Sequence, residues 1–319
     1  MNVRRRLIPA AAATAVAALA AGTLSGCSGG TAVVANTSKF DVVASFYPMT
    51  FLAERIGGKH VRVTTLTSPG QEPHDLEISP RQIAQLEESD AVLYLSGLQP
   101  SVDEAVAQSP VGTKIDAAGL TTLEEHGTEV GGHAAGHDSH QDGERAGKDP
   151  HIWLDPVKYA QVAEGVGRAF EKADPRHAAD YRKNTATLTG ELGALDSRFR
   201  QSLAHTRSKV FLTTHAAFGY LAERYGLIEE AVNGLDPESE PSAARVKDLE
   251  RTARADGVST VFYETLVSDR TARTLAHDTG LRTDVLDPLE GITGKSRGKD
   301  YLAVQQANLE ALRRALGAK

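Results

Sequence analysis

The chain has 319 residues, of which 40 % are apolar and 24 % are charged, and its formal net charge is −7. Such a composition predicts a globular chain of about two domains, and the acidic balance argues against a nucleic-acid partner, which would need a basic face. A mean hydropathy of −0.30 excludes a multi-span membrane protein.

The first 26 residues have the organisation of a signal peptide. Three consecutive arginines, Arg4 to Arg6, precede an apolar, alanine-rich stretch over residues 7–24, and no acidic residue interrupts them. A charged start followed by an apolar run is typical of an export signal that is removed from the mature protein. We therefore exclude residues 1–26 from the fold, and the arginines leave both Sec and twin-arginine export open.

A lone cysteine follows this signal. Leu24-Ser25-Gly26-Cys27 resembles the bacterial lipobox, and Cys27 is the single cysteine of the sequence. The lipobox pattern implies that this cysteine becomes the acylated first residue of the mature chain, and two or more acyl chains are enough for stable anchoring. We therefore expect an extracytoplasmic protein, anchored to the cell membrane through Cys27, with residues 27–39 as a lipidated tether.

From Phe40 onward, strand-like and helix-like segments alternate. The clearest helix start is Ser79, which is followed by Pro80 and Gln82 in a capping pattern, and we expect this helix to bury a face with Ile83 and Leu86. The predicted strands are residues 40–46, 61–66, 91–95, 112–116, 210–214, 228–232, 258–263 and 282–286. The alternation predicts an α/β fold with mostly parallel sheets and helices on both faces.

One long helix is predicted near the middle of the mature chain. Apolar residues recur at three- and four-residue steps over residues 176–203 without a proline, which gives a helix roughly 40 Å long at about 1.5 Å per residue. A packed surface helix and a stiff spacer both fit this pattern, and the central position favours the spacer. We therefore predict an N-terminal lobe over residues 40–174, a linking helix over 175–205 and a C-terminal lobe over 206–319.

Four potential metal ligands fall at or just beyond predicted strand ends. His74 follows the second strand, His151 follows Asp149-Pro150, and His215 and Asp287 each end a strand of the second half. Ligands of open α/β sheets bind beyond the carboxyl ends of the strands, so we expect these residues to meet in the cleft between the lobes. Three imidazoles and one carboxylate suit Zn²⁺, although copper and nickel also bind imidazole.

A polar stretch over residues 124–148 precedes His151. It is rich in Gly, Ala, Asp and Glu and has no apolar period, and such a tract cannot bury enough surface to order itself. Short His-rich tracts favour metal binding. We therefore predict a disordered loop that gathers metal beside the fixed site through four histidines: His126, His133, His137 and His140.

Several segments resemble a known family, the zinc-type metal-binding lipoproteins of bacterial ABC importers. The similar segments, which occur in the order and spacing of the family, are Pro73-His74-Asp75 with Ser79-Pro80, Asp149 to Pro156, Thr213 to Tyr220, Phe262-Tyr263-Glu264 and Val285 to Leu289. The resemblance runs from about Phe40 to the C-terminus. It implies two Rossmann-like lobes joined by one long rigid helix, with Zn²⁺ held between them and delivered to a membrane permease that an ATPase drives.

The resemblance also bears on the choice of metal and of the fourth ligand. In this family a Glu at the third ligand position accompanies manganese and a His accompanies zinc, so His215 points to zinc. Some zinc members carry a Glu directly before the first His, where this chain has Pro73. That difference favours Asp287 as the fourth ligand, with Glu72 as its competitor.

We expect a monomeric binding protein and not an enzyme. The alternatives are the same fold carrying Mn²⁺ or Fe²⁺, a zinc-dependent hydrolase with Glu72 or Glu264 as its base, and a surface adhesin. The sequence lacks the HExxH motif, and a catalytic zinc needs an open position for water. Because ligand histidines must be neutral, we expect metal affinity to fall below a pH of about 6.5.

Overall fold

Two sheets with helices packed on their faces make up the described part of the chain. The computed structural model describes residues 39–130 and 148–318. The predicted signal peptide, Cys27 and nearly all of the tether lie outside the described residues. None of the helices within these two ranges is both long enough and apolar enough to span a membrane.

The first sheet has four parallel strands. They are β1 Phe40–Ala44, β2 Val61–Thr65, β3 Ala91–Tyr94 and β4 Thr113–Asp116, in the order β2-β1-β3-β4. The helices that connect them are α1 Tyr47–Gly57, α2 Pro80–Glu87 and α3 Pro100–Gln108. Parallel neighbours require crossover connections of this kind. All four strands were predicted from the sequence, whereas α3 was not.

The second sheet has four parallel strands and one antiparallel edge strand. The parallel strands are β6 Val210–His215, β7 Ile228–Asn233, β8 Thr260–Tyr263 and β9 Arg282–Val285, and β5 Glu129–Val130 pairs with β7 in the order β5-β7-β6-β8-β9. Strand β5 was not predicted, because it lies in a polar stretch without an apolar period. The expectation that the whole of residues 124–148 is disordered is therefore wrong for the strand residues Glu129 and Val130, while residues 131–147 lie outside the described residues.

Two helices in the middle of the chain connect the two sheets. They are α4 Pro156–Ala173 and α5 Ala178–Leu203. Helix α5 packs on α1 and α4 in the first half of the chain and, in the second half, on two further helices, α6 Gly219–Tyr225 and α9 Tyr301–Leu316. Its buried side chains are those that the helical spacing predicted: Tyr181, Leu188, Leu192, Leu195, Phe199 and Leu203. The long helix thus links the halves and is also packed against both of them.

The apolar core is shared between the two halves. One continuous cluster joins residues of both sheets with side chains of α1, α4, α5 and α9, while each sheet carries a smaller cluster on its other face. The helices α7 Ala243–Ala255 and α8 Arg270–Thr279 cover that other face of the second sheet. Separating the halves would expose this shared core to water, so the fold disfavours a large hinge opening. The two-lobe α/β fold is confirmed.

Helix α2 begins as predicted but buries less than predicted. The Ser79 hydroxyl accepts a hydrogen bond from the Gln82 amide, and the Gln82 side chain accepts one from the Ser79 amide at 2.9 Å, which is a capping box. The Gln82 side chain also donates to the Leu66 carbonyl at 2.7 Å. Leu86 is buried, but Ile83 is 39 % exposed. The prediction that Ile83 faces the core is wrong, because Gln82 and Leu86 hold the helix with that residue turned outward.

Candidate metal centre

His74 reaches the centre from the loop between β2 and α2. Its backbone amide donates to Glu72 Oε1 at 2.8 Å, which fixes the turn that carries the imidazole. Its side chain is 13 % exposed, whereas those of His151 and His215 are fully buried. His74 is therefore the histidine of the centre that solvent reaches.

His151 is held in place by the residues that follow it. A short 3₁₀ turn over Ile152–Leu154 leads directly into α4. The Trp153 indole donates to the Pro288 carbonyl at 2.6 Å, and the Tyr301 hydroxyl donates to the Trp153 carbonyl at 2.5 Å. Because these bonds join segments more than 130 residues apart, they fix His151 against the loop that follows β9.

His215 is the last residue of β6, at the carboxyl end of the second sheet. Its Nδ1 contacts Glu264 Oε1 at 2.6 Å, and the same oxygen accepts a hydrogen bond from the Thr214 hydroxyl at 2.7 Å. Glu264 directly follows β8, the parallel neighbour of β6. The strand order therefore places this carboxylate beside His215, as the rule for open α/β sheets predicts.

The three histidines converge with Glu290, and the ligand atoms of all four residues lie within 4.8 Å of one another. Glu290 Oε1 is 3.4 Å from Nε2 of His74, 3.4 Å from Nε2 of His151 and 3.7 Å from Nε2 of His215. The Nε2 atoms of His151 and His215 are 3.5 Å apart. Zn–ligand bonds of about 2.0–2.1 Å in a tetrahedron require ligand atoms about 3.3 Å apart, so these four distances are close to the spacing of a zinc shell.

Two carboxylates orient the buried imidazoles from behind. Asp149 Oδ1 accepts from the backbone amide of His151 at 2.9 Å and contacts Nδ1 of its ring at 2.7 Å, while Glu264 contacts Nδ1 of His215. Since a carboxylate accepts hydrogen bonds, Nδ1 of each ring carries the proton. In both rings Nε2 is then the atom left to bind a metal, and such carboxylate–histidine pairs are typical of metal centres.

The carboxylates of the centre favour positive charge on the two buried imidazoles. Burial alone lowers the pKa of His151, but Asp149 and Glu290 raise it to about 10. Burial likewise opposes the positive charge of His215, and Glu264 raises its pKa. Burial would raise the pKa of Glu290, yet hydrogen bonds from His151 and His74 hold it well below the usual value. A negative carboxylate beside imidazoles whose positive form is favoured suits a divalent cation, which binds with release of protons.

One buried atom supports the same fit. Glu290 is fully buried, and its Oε2 has no hydrogen-bond partner among the described residues. Buried polar atoms are rarely left without a partner. A cation held by both oxygens of Glu290 would satisfy Oε2, so the unsatisfied atom agrees with the donor set in suiting a metal ion.

The prediction of Asp287 as the fourth ligand does not agree with the structure, which places Glu290 with the three histidines. Asp287 Oδ1 accepts from the Leu289 amide at 2.9 Å, and Oδ2 accepts from the Thr265 hydroxyl at 3.1 Å. Leu289 has a φ of 61°, a conformation that costs a branched residue energy. Asp287 thus stabilises the turn that aims Glu290 inward, and its own oxygens are used in doing so.

The position of Glu290 was not visible in the periodicity of the sequence. Glu290 lies outside any strand, three residues after Asp287, in the irregular segment between β9 and α9. The signal available was a second carboxylate in the same strand-end loop. Choosing between the two required the backbone turn at Leu289, which reverses the direction in which the chain presents its side chains.

Glu72 and Glu264, the two candidate bases, are both engaged next to the centre. Glu72 Oε1 accepts from the His74 amide, and burial together with the charge of Glu290 raises the pKa of Glu72 to about 9. Glu264 holds His215 and Thr214. Each carboxyl therefore supports a histidine of the centre, and Glu72 is not among the four grouped residues.

His126, predicted as an auxiliary ligand in the disordered loop, is buried and bound to another side chain. Its Nδ1 contacts Asp149 Oδ2 at 2.6 Å, and its Nε2 faces Glu223 Oε2 at 3.4 Å. It is not one of the residues that the structure groups as metal ligands, so its assignment to a free metal-gathering loop is wrong. The other three histidines, His133, His137 and His140, lie outside the described residues.

Glu229, on β7 behind the centre, is fully buried and gives a first prediction. Its Oε1 accepts from the Thr213 hydroxyl at 2.8 Å and the Phe218 amide at 3.2 Å, while Oε2 has no partner among the described residues. Burial raises the pKa of Glu229 to about 7. A raised carboxyl pKa makes folding less favourable as the pH rises from the unfolded value through the folded one.

Replacing Glu229 with Gln is expected to stabilise the metal-free protein at pH 8 by on the order of 2 kcal/mol and to change little at pH 5. The amide mimics the protonated acid, which is the form already present at the lower pH. Urea unfolding of both proteins in the presence of a chelator measures the difference. An equal effect at both pH values would show that ionisation of Glu229 does not matter.

The chain is similar in sequence to known zinc-binding and zinc-uptake proteins. It is 33 % identical over 291 residues to the zinc-binding protein AdcA of Streptococcus pyogenes serotype M3, covering 86 % of this chain and 56 % of that protein. It is 32 % identical over 289 residues to the high-affinity zinc uptake system protein ZnuA of Bacillus subtilis, covering 88 % of this chain and 89 % of that one. The chain thus spans about half the length of its streptococcal relatives and most of the Bacillus relative.

Solved structures show the same likeness. The laminin-binding protein Lmb of Streptococcus agalactiae superposes with a TM-score of 0.76 at 29 % identity, covering 88 % of this chain and 100 % of that one. The Zn(II)-bound ZnuA-like domain of Streptococcus pneumoniae AdcA superposes with a TM-score of 0.72 at 29 % identity, covering 88 % and 99 %.

The family assignment rests on a match over nearly the whole described chain. The family model described as "ZnuA: Zinc-uptake complex component A periplasmic" matches residues 42–315, which include all three histidines and Glu290. Since the Bacillus relative is also covered over 89 % of its length at 32 % identity, the likeness is not confined to one domain. The chain therefore belongs to the family of periplasmic zinc-uptake components.

Proposed function

We propose that this protein captures Zn²⁺ outside the cytoplasm and delivers it to the permease of an ABC importer. The observation that carries the proposal is the convergence of three imidazole nitrogens and one carboxylate oxygen, which all lie within 4.8 Å of one another. The family description and the names of the relatives support the choice of zinc and of uptake.

The donor set favours zinc over its rivals. Imidazole nitrogen is a borderline ligand that suits Zn²⁺, whereas Mn²⁺ is better served by carboxylate and water oxygens. With His151 and His215 backed by carboxylates, their Nε2 atoms are basic and fixed in direction. Together with Nε2 of His74 and one oxygen of Glu290, they complete the four-coordinate shell that zinc prefers.

Capture and release follow from where the ligands lie. His74 is 13 % exposed and the other members of the centre are fully buried, so the ion meets His74 first and then the buried three. The shared core disfavours a wide opening, and release then proceeds by movement of the loops that carry His74 and Glu290. Both loops are free of regular structure apart from their ends, which makes such movement local.

The location and partners complete the proposal. The signal peptide over residues 1–26 and the lipobox at Cys27 support a protein anchored outside the cell membrane by acyl chains, where a membrane permease can receive the ion. We propose that it acts as a monomer. The family description places its members in a periplasmic zinc-uptake complex. The chain spans about half the length of the streptococcal relatives. We therefore base the proposed activity and partners on the site of this chain and not on the names of those relatives.

Two other functions compete with zinc delivery. A hydrolase needs an open coordination position and a free base, but Glu72 and Glu264 each hold a histidine of the centre. An adhesin is suggested by the name of the Lmb structure, described as a protein with adhesin and metal-transporting activity. In the described part of this chain, Ile83 is the one large apolar side chain found exposed, and a buried ion site serves capture better than adhesion.

Metal analysis of the mature protein, purified without a His tag, tests the proposal. We expect one equivalent of zinc to resist dialysis and a large excess of manganese to leave it in place, because three imidazoles dominate the shell. Competition with a zinc-binding dye measures both. Binding of manganese in preference to zinc, or no metal at one equivalent, would refute the choice of cargo.

A further inference from the structure

Asp149 is shared between two imidazoles. Its Oδ1 contacts Nδ1 of His151 at 2.7 Å, and its Oδ2 contacts Nδ1 of His126 at 2.6 Å. Asp149 is fully buried, so each oxygen must find its hydrogen bonds inside the protein. One oxygen serves the metal centre and the other is satisfied by His126.

His126 is itself held in a built pocket. The ring edge of Tyr220 packs against it with centroids 4.5 Å apart and an interplanar angle of 80°. The Tyr220 hydroxyl donates to the Asp149 carbonyl at 2.8 Å and accepts from the Glu124 amide at 2.8 Å. The Asp149 amide in turn donates to the Glu124 carbonyl at 2.9 Å. One tyrosine therefore locks together the segments that carry His126 and Asp149.

The start of helix α6 makes room for the ring. A Cβ on Gly219 would lie 2.6 Å from Nδ1 of His126, well inside van der Waals contact. Glycine at the first position of α6 is therefore what lets the imidazole reach the carboxylate. The position of His126 is thus determined by side chains and backbone on three sides, as is expected of a residue with a specific orienting role.

We propose that His126 is a positioning residue of the metal centre, which acts through Asp149 to hold His151 in the orientation that presents its Nε2 to the ion. This inference rests on the proposed function, because the effect of His126 is read out as zinc affinity. His126 does not touch the ion. It keeps Oδ2 of a buried carboxylate satisfied, so that Oδ1 stays on His151.

The physical reason is the cost of an unsatisfied buried carboxylate. Without His126, Asp149 Oδ2 would have no donor, and a buried charged group without its hydrogen bond costs free energy. The carboxylate would then rotate towards another donor or take up a proton, and either change removes the acceptor that fixes the His151 ring. Loss of the direct partner of a metal-binding histidine typically lowers metal affinity about 10- to 100-fold. His126 acts one residue further out, through Asp149, so we expect its loss to have an effect at or below the lower end of that range.

The test compares three substitutions of His126 with a control substitution in another imidazole–carboxylate pair, His177 and Asp174. His126→Ala is expected to lower zinc affinity by up to about 10-fold, while His126→Asn, whose Nδ2 takes nearly the place of the imidazole Nδ1, restores most of it. His126→Leu fills the pocket without a donor and is expected to behave like His126→Ala. Zinc competition titrations and the melting temperature of each metal-free protein are measured together.

The control is His177→Ala. His177 Nδ1 contacts Asp174 Oδ2 at 2.5 Å, which is an imidazole–carboxylate pair of the same kind at the start of α5. Its loss is expected to lower the melting temperature and to leave zinc affinity unchanged. If His126→Ala and His126→Leu lower the melting temperature as His177→Ala does but keep full zinc affinity, His126 has a structural role only and the inference is overturned.

Failure of the inference is distinguishable from failure of the proposed function. His151→Ala is measured in the same titration. If that substitution leaves zinc affinity intact, the metal centre is misassigned and the proposed function fails. If it weakens zinc binding while all three His126 variants bind as the unsubstituted protein does, only the positioning role is lost.

Discussion

The affinity of this protein for zinc is expected to rise about tenfold to hundredfold for each unit of pH between roughly 6 and 8. Asp149 and Glu290 raise the pKa of His151 to about 10 against the opposing effect of burial, and Glu264 raises that of His215. Zinc must therefore displace the proton that the His151 imidazole holds below a pH of about 10, and the raised pKa of His215 acts in the same direction. One to two protons released per ion give that range of slopes.

This expectation differs from the one based on sequence, in which affinity falls only below a pH of about 6.5. Buried carboxylates extend the pH dependence of zinc affinity to higher pH, because they stabilise the protonated imidazole until an ion replaces the proton. Zinc competition at pH 6, 7 and 8, with calorimetry in buffers of different ionisation enthalpy, measures the slope and the protons released. An affinity that is constant above pH 7, without proton release, would contradict the assignment of charges in the centre.

Without zinc, the same histidine protons make the fold less stable as the pH rises, whereas zinc affinity increases with pH. A histidine whose folded pKa is raised stabilises the fold below its unfolded pKa and loses that contribution as the pH rises through the folded value. The stabilisation gained on adding zinc should therefore be larger at pH 8 than at pH 6. Melting temperatures with and without zinc provide this second, independent readout of the same protons.

Replacing Glu290 with Ala is expected to weaken zinc binding about 100-fold. A four-ligand zinc site binds with a free energy of more than about 10 kcal/mol, so one ligand accounts for about 3 kcal/mol. Glu290 is also the one acidic member of the group, and its loss leaves three imidazoles to share a buried divalent charge. Competition titration at constant pH measures the change.

Asp287→Asn is the matched control for that substitution. The amide keeps an oxygen for the Leu289 amide, and the Thr265 hydroxyl can turn to accept from the new NH₂ group. Burial raises the pKa of Asp287, so the neutral side chain suits its environment. Zinc affinity is expected to change only a few-fold. A large loss with Asp287→Asn and none with Glu290→Ala would restore Asp287 as the ligand predicted from sequence.

The sequence by itself determined the residue types that make the centre and the fold that brings them together. Alternating strands and helices place the residues after parallel strands at one edge, because strand direction is fixed by the crossover connections. His74, His151 and His215 could therefore be predicted from their positions in the pattern. The long helix was equally visible, since Tyr181 to Leu203 repeat at the helical period and that period decides which face is buried.

Only the tertiary structure showed which carboxylate lies with the three histidines and which one stabilises the turn beside them. Asp287 and Glu290 lie three residues apart in one irregular segment, and local sequence assigns no direction to side chains there. The turn at Leu289, held by Asp287, points Glu290 at the three imidazoles. Likewise, the sequence around His126 is that of a polar loop, and only the structure shows that its imidazole packs against Tyr220 and contacts Asp149. Contacts between residues far apart in the chain leave no periodic trace in sequence, so only the folded chain shows them.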